Sequence, residues 1–287
     1  MLRGMYSAIS GLKMHQAMLD VTANDIANVN TIGYKSSRTT FTDQMAQLQG
    51  AGTAPGGTTG GKNPAQIGLG VQFGSIDSVM GNGAFQSTGN PLDLAVKGDG
   101  WFRVTTDGPD DMTSEAGAPA GAEAFTRAGN FTQNSQGFLV TQGGAYLLGK
   151  SADGSGTDVY LRIPPEKGTN VTVGQDGAVS YLDNTTNTRV TAGYLSLARF
   201  SNEGGLERAS TNLWQVSPSS GPEVPAGGSV AGAEGLGTIQ SGVTEMSNVD
   251  LANEFTELIS AQRGFQANSR VISTSDSVLE ELVNLKR

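Results

Sequence analysis

Apolar residues recur every seven positions at both ends of this chain and alternate in short runs between them. From Leu2 to about Asn28, one heptad row holds Leu2, Ile9, Gln16 and Ala23. The other holds Met5, Leu12, Leu19 and Ile26, and no proline interrupts either row. The spacing predicts an amphipathic helix about 40 Å long at about 1.5 Å per residue. Gly4 and Gly11 weaken it by roughly 1 kcal/mol each.

The far end repeats the pattern. Leu251, Leu258, Phe265, Ile272 and Leu279 follow at sevens, and Phe255, Ile259, Val271, Val278 and Leu282 widen the stripe. Ser247, Asn248 and Asp250 offer the short polar side chains that cap a helix start. Two terminal helices with heptad stripes predict an antiparallel pair, with each other or with neighbouring copies. A lone helix of this kind cannot bury its stripe, so the termini are expected to order only when partners arrive. On this pattern Leu2, Met5, Ile9, Leu12, Leu19, Ile26, Leu251, Phe255, Leu258, Phe265, Ile272 and Leu279 are the expected subunit-interface side chains.

The middle reads as β-structure. Leu92–Val96, Trp101–Val104, Phe138–Val140, Tyr146–Leu148, Val171–Val173 and Val179–Tyr181 are short runs divided by glycine-bearing turns, and residues 194–200 form the clearest alternating strand. Strands at such intervals predict an antiparallel sandwich or barrel-like domain. Gln49 to Lys62 and Ser217 to Gly237 are rich in small residues and read as hinges or extended arms. The expected class is α+β. Residues 1–30 and 247–287 would form a helical domain, 31–75 an extended arm with a Gly-rich insertion at 49–62, and 76–246 a β-rich outer domain.

Composition narrows the function. The net charge of −9 argues against a nucleic-acid partner, which needs a basic face. Glycine at 41 of 287 residues, about twice the common usage of roughly 7%, suits many tight turns. With no cysteine, disulfides and thiolate metal sites are excluded. No cofactor or metal is expected. His15 is the only histidine, so it has no second imidazole to join it in a metal site, and it is expected at a surface or interface. No pair of carboxylates stands in a recognisable catalytic pattern, so no enzymatic activity is expected. There is no apolar run long enough to span a membrane and no cleavable signal at the N-terminus.

The most informative stretch is residues 24–35, NDIANVNTIGYK. Physically it ends a helix: Asn28 and Asn30 tolerate left-handed geometry, and Gly33 supplies a positive φ. Tyr34 then offers an anchor for the arm on a neighbouring surface. Asn24, Ala27, Asn28, Thr31, Gly33, Tyr34 and Lys35 fill the N-x-x-A-N-x-x-T-x-G-[FY]-K pattern of the flagellar rod and hook family, which this chain resembles. Residues 91–102 (PLDLAVKGDGWF), 125–131 (FTRAGNF), 247–250 (SNVD) and 261–268 (AQRGFQAN) resemble four further motifs of that family, in the right order along the chain.

The resemblance implies a tubular assembly. Terminal helices would pair as an inner coiled-coil layer beneath a β-rich outer layer. The chain would self-associate into a helical tube. It would meet other flagellar rod, hook-cap and hook–filament junction proteins, and the flagellar type III export apparatus. It would lie in the bacterial flagellum, in the hook or the basal body rod, outside the cell after signal-peptide-independent export. Residues 63–70 (NPAQIGLG) and Val249-Asp250-Leu251 resemble short hook proteins, so the expected function is a hook subunit, a universal joint carrying motor torque to the filament. The chain length and the 49–62 insertion resemble the distal rod, the drive-shaft alternative.

Overall fold

The structure is a computed structural model that describes residues 2–56, 60–108, 123–152, 156–166, 168–233 and 235–285. It divides into two compact units. One takes Met1–Ala27, Ser37–Val79 and Val249–Arg287; the other takes Asn28–Ser36 and Met80–Asn248.

The first unit holds α1 (Leu2–Ala27), four strands and, at the far end of the chain, a second helix, α2 (Leu251–Asn284). The strands are β1 (Ser37–Asp43), β2 (Ala46–Gly50), β3 (Ala65–Gly68) and β4 (Val71–Ser78). β1 pairs antiparallel with β4 from Ser37↔Ser78 to Asp43↔Val71, with a bulge between Thr40 and Phe41. β2 pairs with β3, and a bridge links Thr53 to Lys62. Residues 37–78 therefore double back as one two-stranded ribbon, and the segment read as a loose insertion continues its ladder on both sides. Residues 57–59, at the centre of that insertion, lie outside the described residues. The ribbon packs on α1 at Gly70, whose missing side chain admits Ser10, and the Val71 N–H donates to Ser10 Oγ at 3.3 Å.

In the second unit the strands are β5 (Phe85–Ser87), β6 (Leu94–Lys97), β7 (Trp101–Thr105), β8 (Glu123–Thr126), β9 (Thr132–Gln133), β10 (Leu139–Val140), β11 (Tyr146–Lys150) and β12 (Asp158–Tyr160). They continue through β13 (Gly168–Val173), β14 (Ala178–Asp183), β15 (Arg189–Phe200), β16 (Glu207–Arg208), β17 (Trp214–Gln215), β18 (Glu223–Val230), β19 (Thr238–Ser241) and β20 (Val243–Glu245). Most join one curled antiparallel sheet, in the order β13-β14-β15-β11-β7-β8-β17-β16. β15, 12 residues long, carries the curl. Its first half pairs with β14, and its second half pairs with β7 and β18 across a bulge between Leu197 and Arg199.

The core explains why β7 (WFRVT) is buried at every position rather than alternating between core and solvent. Both of its faces are sealed. Phe102 and Val104 enter the larger cluster with Leu94, Phe131, Leu147, Leu195, Leu197 and Ile239. Trp101, one pleat over, joins Phe125, Ala198, Phe200, Leu206 and Trp214. Alternation along a strand sends neighbouring side chains to opposite faces, so a strand between two packed faces is buried at every position. Between Phe102 and Val104, Arg103 is also fully buried. It meets Glu123 at 2.7 Å, Asp158 at 2.9 Å and Glu223 at 3.3 Å. Burial alone would lower the pKa of its guanidinium, but hydrogen bonds to Glu123 and Asp158 and the charge of Glu223 outweigh it and move it upward.

Candidate functional site

The motif-bearing turn lies inside the β body. Thr31 N–H donates to the Asn28 carbonyl at 3.0 Å, and Gly33 turns with φ +69°. A Cβ on Gly33 would stand 2.5 Å from the Ala128 nitrogen, so the position demands glycine for space as well as for φ. Tyr34 and Lys35 are buried in their own chain's body. This differs from the expectation that Tyr34 anchors an arm on a neighbouring surface. Arg208 stacks 4.6 Å over the Tyr34 ring and 5.0 Å over Trp214, and it hydrogen-bonds both the Tyr34 hydroxyl and the Lys35 carbonyl.

Lys35 reaches a sealed pocket. Its Nζ lies 2.6 Å from Glu245 Oε1, with both side chains at 0% exposure, and donates to the Gly81 carbonyl at 3.0 Å. Glu245 also accepts from the Gly83 N–H at 3.0 Å, lies 3.5 Å from Arg127, and accepts at its own carbonyl from the Gly33 N–H. Arg127 in turn covers Trp101 at 5.3 Å. Burial pushes the Lys35 pKa below the ordinary lysine value. Glu245 opposes that shift and the Arg127 charge adds to it. Asn248 closes the cluster, accepting from the Ser36 N–H at 2.8 Å and donating its own N–H to the Tyr34 carbonyl. Asn212 Nδ2 holds the Ile32 carbonyl at 3.1 Å. The arrangement ties residues 31–36, 80–83, 126–128, 208–214 and 245–248 into one clasp. At its centre both Lys35 and Glu245 are sealed from solvent, and the contacts made there are ion pairs and hydrogen bonds that join segments of the fold.

Four motif stretches thus converge: residues 31–35, 94–101, 125–129 and 247–248. Asn24 and Ala27 remain on the last turn of α1, exposed, and Asn28 is half-buried. Glu245 and Arg208 carried no sequence signal. Only the fold brings them to Lys35 and Tyr34.

In the first unit α1 and α2 lie antiparallel. Gly11 faces Asn268, where a Cβ would come within 2.6 Å of Nδ2, and Gly264 faces the His15 ring. The same register sets Asp25 opposite Glu254. The most buried positions on α1 are Ala8, Gly11, Thr22 and Asp25, and on α2 Ala261, so the seam is lined by small and polar side chains. Met5, Ile9, Leu12, Leu19 and Ile26 flank it, half-buried, as do Leu258, Phe265, Ile272 and Leu279 on α2. The Leu2 side chain lies outside the described residues. Leu251 and Phe255 are 40% and 49% exposed, and Ile259, Val271, Val278 and Leu282 are likewise exposed on this helix. Asp250 caps α2 by accepting from the Ala252 N–H at 2.9 Å.

Glu254 sits at the acidic end of this seam. Burial, then Asp25, Glu257 and Asp250, push its pKa up to about 7. Among the described residues no group of three His, Cys, Asp or Glu side chains gathers to hold a metal ion, and no helix is long and apolar enough to cross a membrane.

Comparison with known proteins covers the same regions. Residues 5–35 match the family model described as flagella basal body rod protein, residues 95–181 the flagellar hook protein FlgE/F/G D1 domain, and residues 240–285 the flagellar basal body rod FlgEFG protein C-terminal model. The flagellar basal-body rod protein FlgG of Bacillus subtilis is 46% identical, with 100% of both chains aligned. FlgG of Caulobacter vibrioides is 34% identical over 99% of this chain and 100% of that one. The flagellar hook protein FlgE of Borreliella burgdorferi is 28% identical, with 100% of both covered. Full-length similarity at this level means that the chain belongs to the flagellar basal-body rod and hook family, structural proteins of the flagellum and not enzymes.

Proposed function

We propose that the protein is a subunit of the distal flagellar rod, a drive-shaft segment that self-associates into a helical tube. The expectation of a hook subunit gives way here, because the whole-length relatives at 46% and 34% identity bear the rod name and the hook relative is more distant. The observation that carries the assembly is the set of large apolar side chains left exposed on α2: Leu251, Phe255, Ile259, Val271, Val278 and Leu282. Side chains of this size, left in water on a helix already paired with α1, suit burial against neighbouring copies. In this proposal residues 1–30 and 247–287 form an inner coiled-coil layer, 76–246 the outer layer and 31–75 an arm between subunits. The tube would meet other rod, hook-cap and junction proteins after passage through the flagellar export apparatus.

Electron microscopy of basal bodies from a deletion strain tests this. Loss of the distal rod together with the hook supports the rod. An intact distal rod that ends without a hook would return the assignment to the hook.

A further inference from the structure

The charges in the clasp are uneven. Lys35 and Arg127 are both sealed from solvent, and Glu245 is the one carboxylate within ion-pair reach of either among the described residues. Glu245 arrives late, 210 residues after Lys35. It is delivered by β20, which pairs with β5 through Val243↔Ser87, Thr244↔Gln86 and Glu245↔Phe85, and the ladder continues where the Met246 N–H donates to the Ala84 carbonyl. Asn248, which ties down Ser36 and Tyr34, comes on the same segment.

We infer that Glu245 is a completion latch: the β body closes only when the segment Val243–Asn248 is laid against Phe85–Ser87, because until then two buried cations lack a counter-charge. An ammonium and a guanidinium cannot be sealed together without a carboxylate at tolerable cost. A chain in which residues 243–248 have not docked therefore keeps Lys35 and Arg127 in water. The part of the sheet at the start of β7 and the end of β8, where Arg127 lies over Trp101, stays open with them. When the segment docks, one carboxylate hydrogen-bonds Lys35 and the Gly83 N–H and sets its charge 3.5 Å from Arg127. The latch makes folding of the body all-or-none with respect to the arrival of this segment.

The chain contains two tryptophans, and both lie in the clasp: Trp101 under Arg127 and Trp214 under Arg208, 5.6 Å apart. Their emission and near-ultraviolet dichroism report closure directly. The test compares full-length Glu245→Gln, Lys35→Met and the Lys35→Met/Glu245→Gln double variant, by tryptophan emission and amide exchange. For Glu245→Gln, exchange in β7, β8 and β15 should accelerate at least ~100-fold, with emission moving toward that of the unfolded chain. Lys35→Met leaves Glu245 balanced by Arg127 and should change exchange by less than about 10-fold. The double variant, with one uncompensated cation instead of two, should recover part of what Glu245→Gln loses. Loss confined to residues 31–36, 80–87 and 243–248 would overturn the latch, as would equal damage from Lys35→Met. If Glu245→Gln does not fold at all, the double variant decides: a folded double variant supports the latch, and an equally unfolded one overturns it.

Discussion

The β body and the helix unit bury their side chains in opposite ways. In the body, Trp101, Phe102, Val104, Leu195 and Leu197 are sealed on both faces of the sheet, and even Lys35, Arg103 and Glu245 are enclosed with partners. In the helix unit the seam holds Ala8, Gly11, Thr22, Asp25 and Ala261, while Phe255, Ile259 and Leu282 stand in water. A seam of small and polar residues contributes little apolar burial at about 25 cal/mol per Å². The body is thus built to be stable in one copy. The helices have their hydrophobic surface turned outward, where only other molecules can cover it. In native amide exchange the body should be protected by orders of magnitude more than α1 and α2; equal protection in a verified monomer would erase the contrast.

The largest test of this division is Gly33→Val. The residue is at φ +69° and its Cβ would meet the Ala128 nitrogen at 2.5 Å. Backbone strain and overpacking together should destabilise the body by about 4 kcal/mol. Urea unfolding followed by tryptophan emission reads this. The sequence suggested a positive φ at this exit turn, and the structure has it. An unchanged urea midpoint would show that the turn is not part of the body's packing.

Leu258→Asp probes the other unit. Leu258 is half-buried beside the seam, so a charge there should weaken the helix pair by about 2–3 kcal/mol and leave the midpoint of the body unchanged. Assembly into tubes should fail; normal tubes would show that this position faces no packed interface. Phe255→Ser and Ile259→Ser sharpen the same point. Both side chains are exposed, so the monomer should shift by no more than about 0.5 kcal/mol while polymerisation falls. Monomer destabilisation without loss of assembly would assign these side chains to intramolecular packing instead.

Legibility followed the kind of interaction. The heptad spacing of Leu258, Phe265, Ile272 and Leu279 locates a helix and one of its faces, because period alone encodes both. The short alternating runs locate strands for the same reason. Period does not say which face meets which partner. Gly11 reads as a weak point in a helix, yet it is a place of close approach to Asn268, and Gly264 comes as close to His15. The ribbon at residues 37–78 escaped notice because its insertion is rich in glycine, while its order comes from cross-strand pairing that leaves no local signal. In the clasp the turn geometry at Gly33 was legible, since φ is a local property. Its partners Glu245, Arg127 and Arg208 were not, because they arrive from sequence positions about 90 to 210 residues away.

The smallest expected effect concerns pH and bears on the helix unit alone. Glu254 faces Asp25 across the α1–α2 seam, with Asp250 and Glu257 on its own helix, and its pKa stands at about 7 against an ordinary 4.5. The folded pair therefore binds a proton more tightly than the separated helices between those two values. Linkage fixes the sign: where the folded state holds more protons, stability falls as pH rises. The pair should be weakest above about pH 7 and tighten as pH drops toward 4.5, below which this group adds nothing more. Glu254 is only half-buried, so the gain is modest and screened by salt. Amide exchange of α1 and α2 at about pH 8 and about pH 5.5, corrected for intrinsic rates, should show slower opening at the lower value. Glu254→Gln removes the titration and should give the acid-side protection at both. The body provides the internal control, since Glu254 lies in the helix unit. An exchange profile that changes equally in β7 and β15, or one that Glu254→Gln leaves as steep as before, would place the pH response elsewhere.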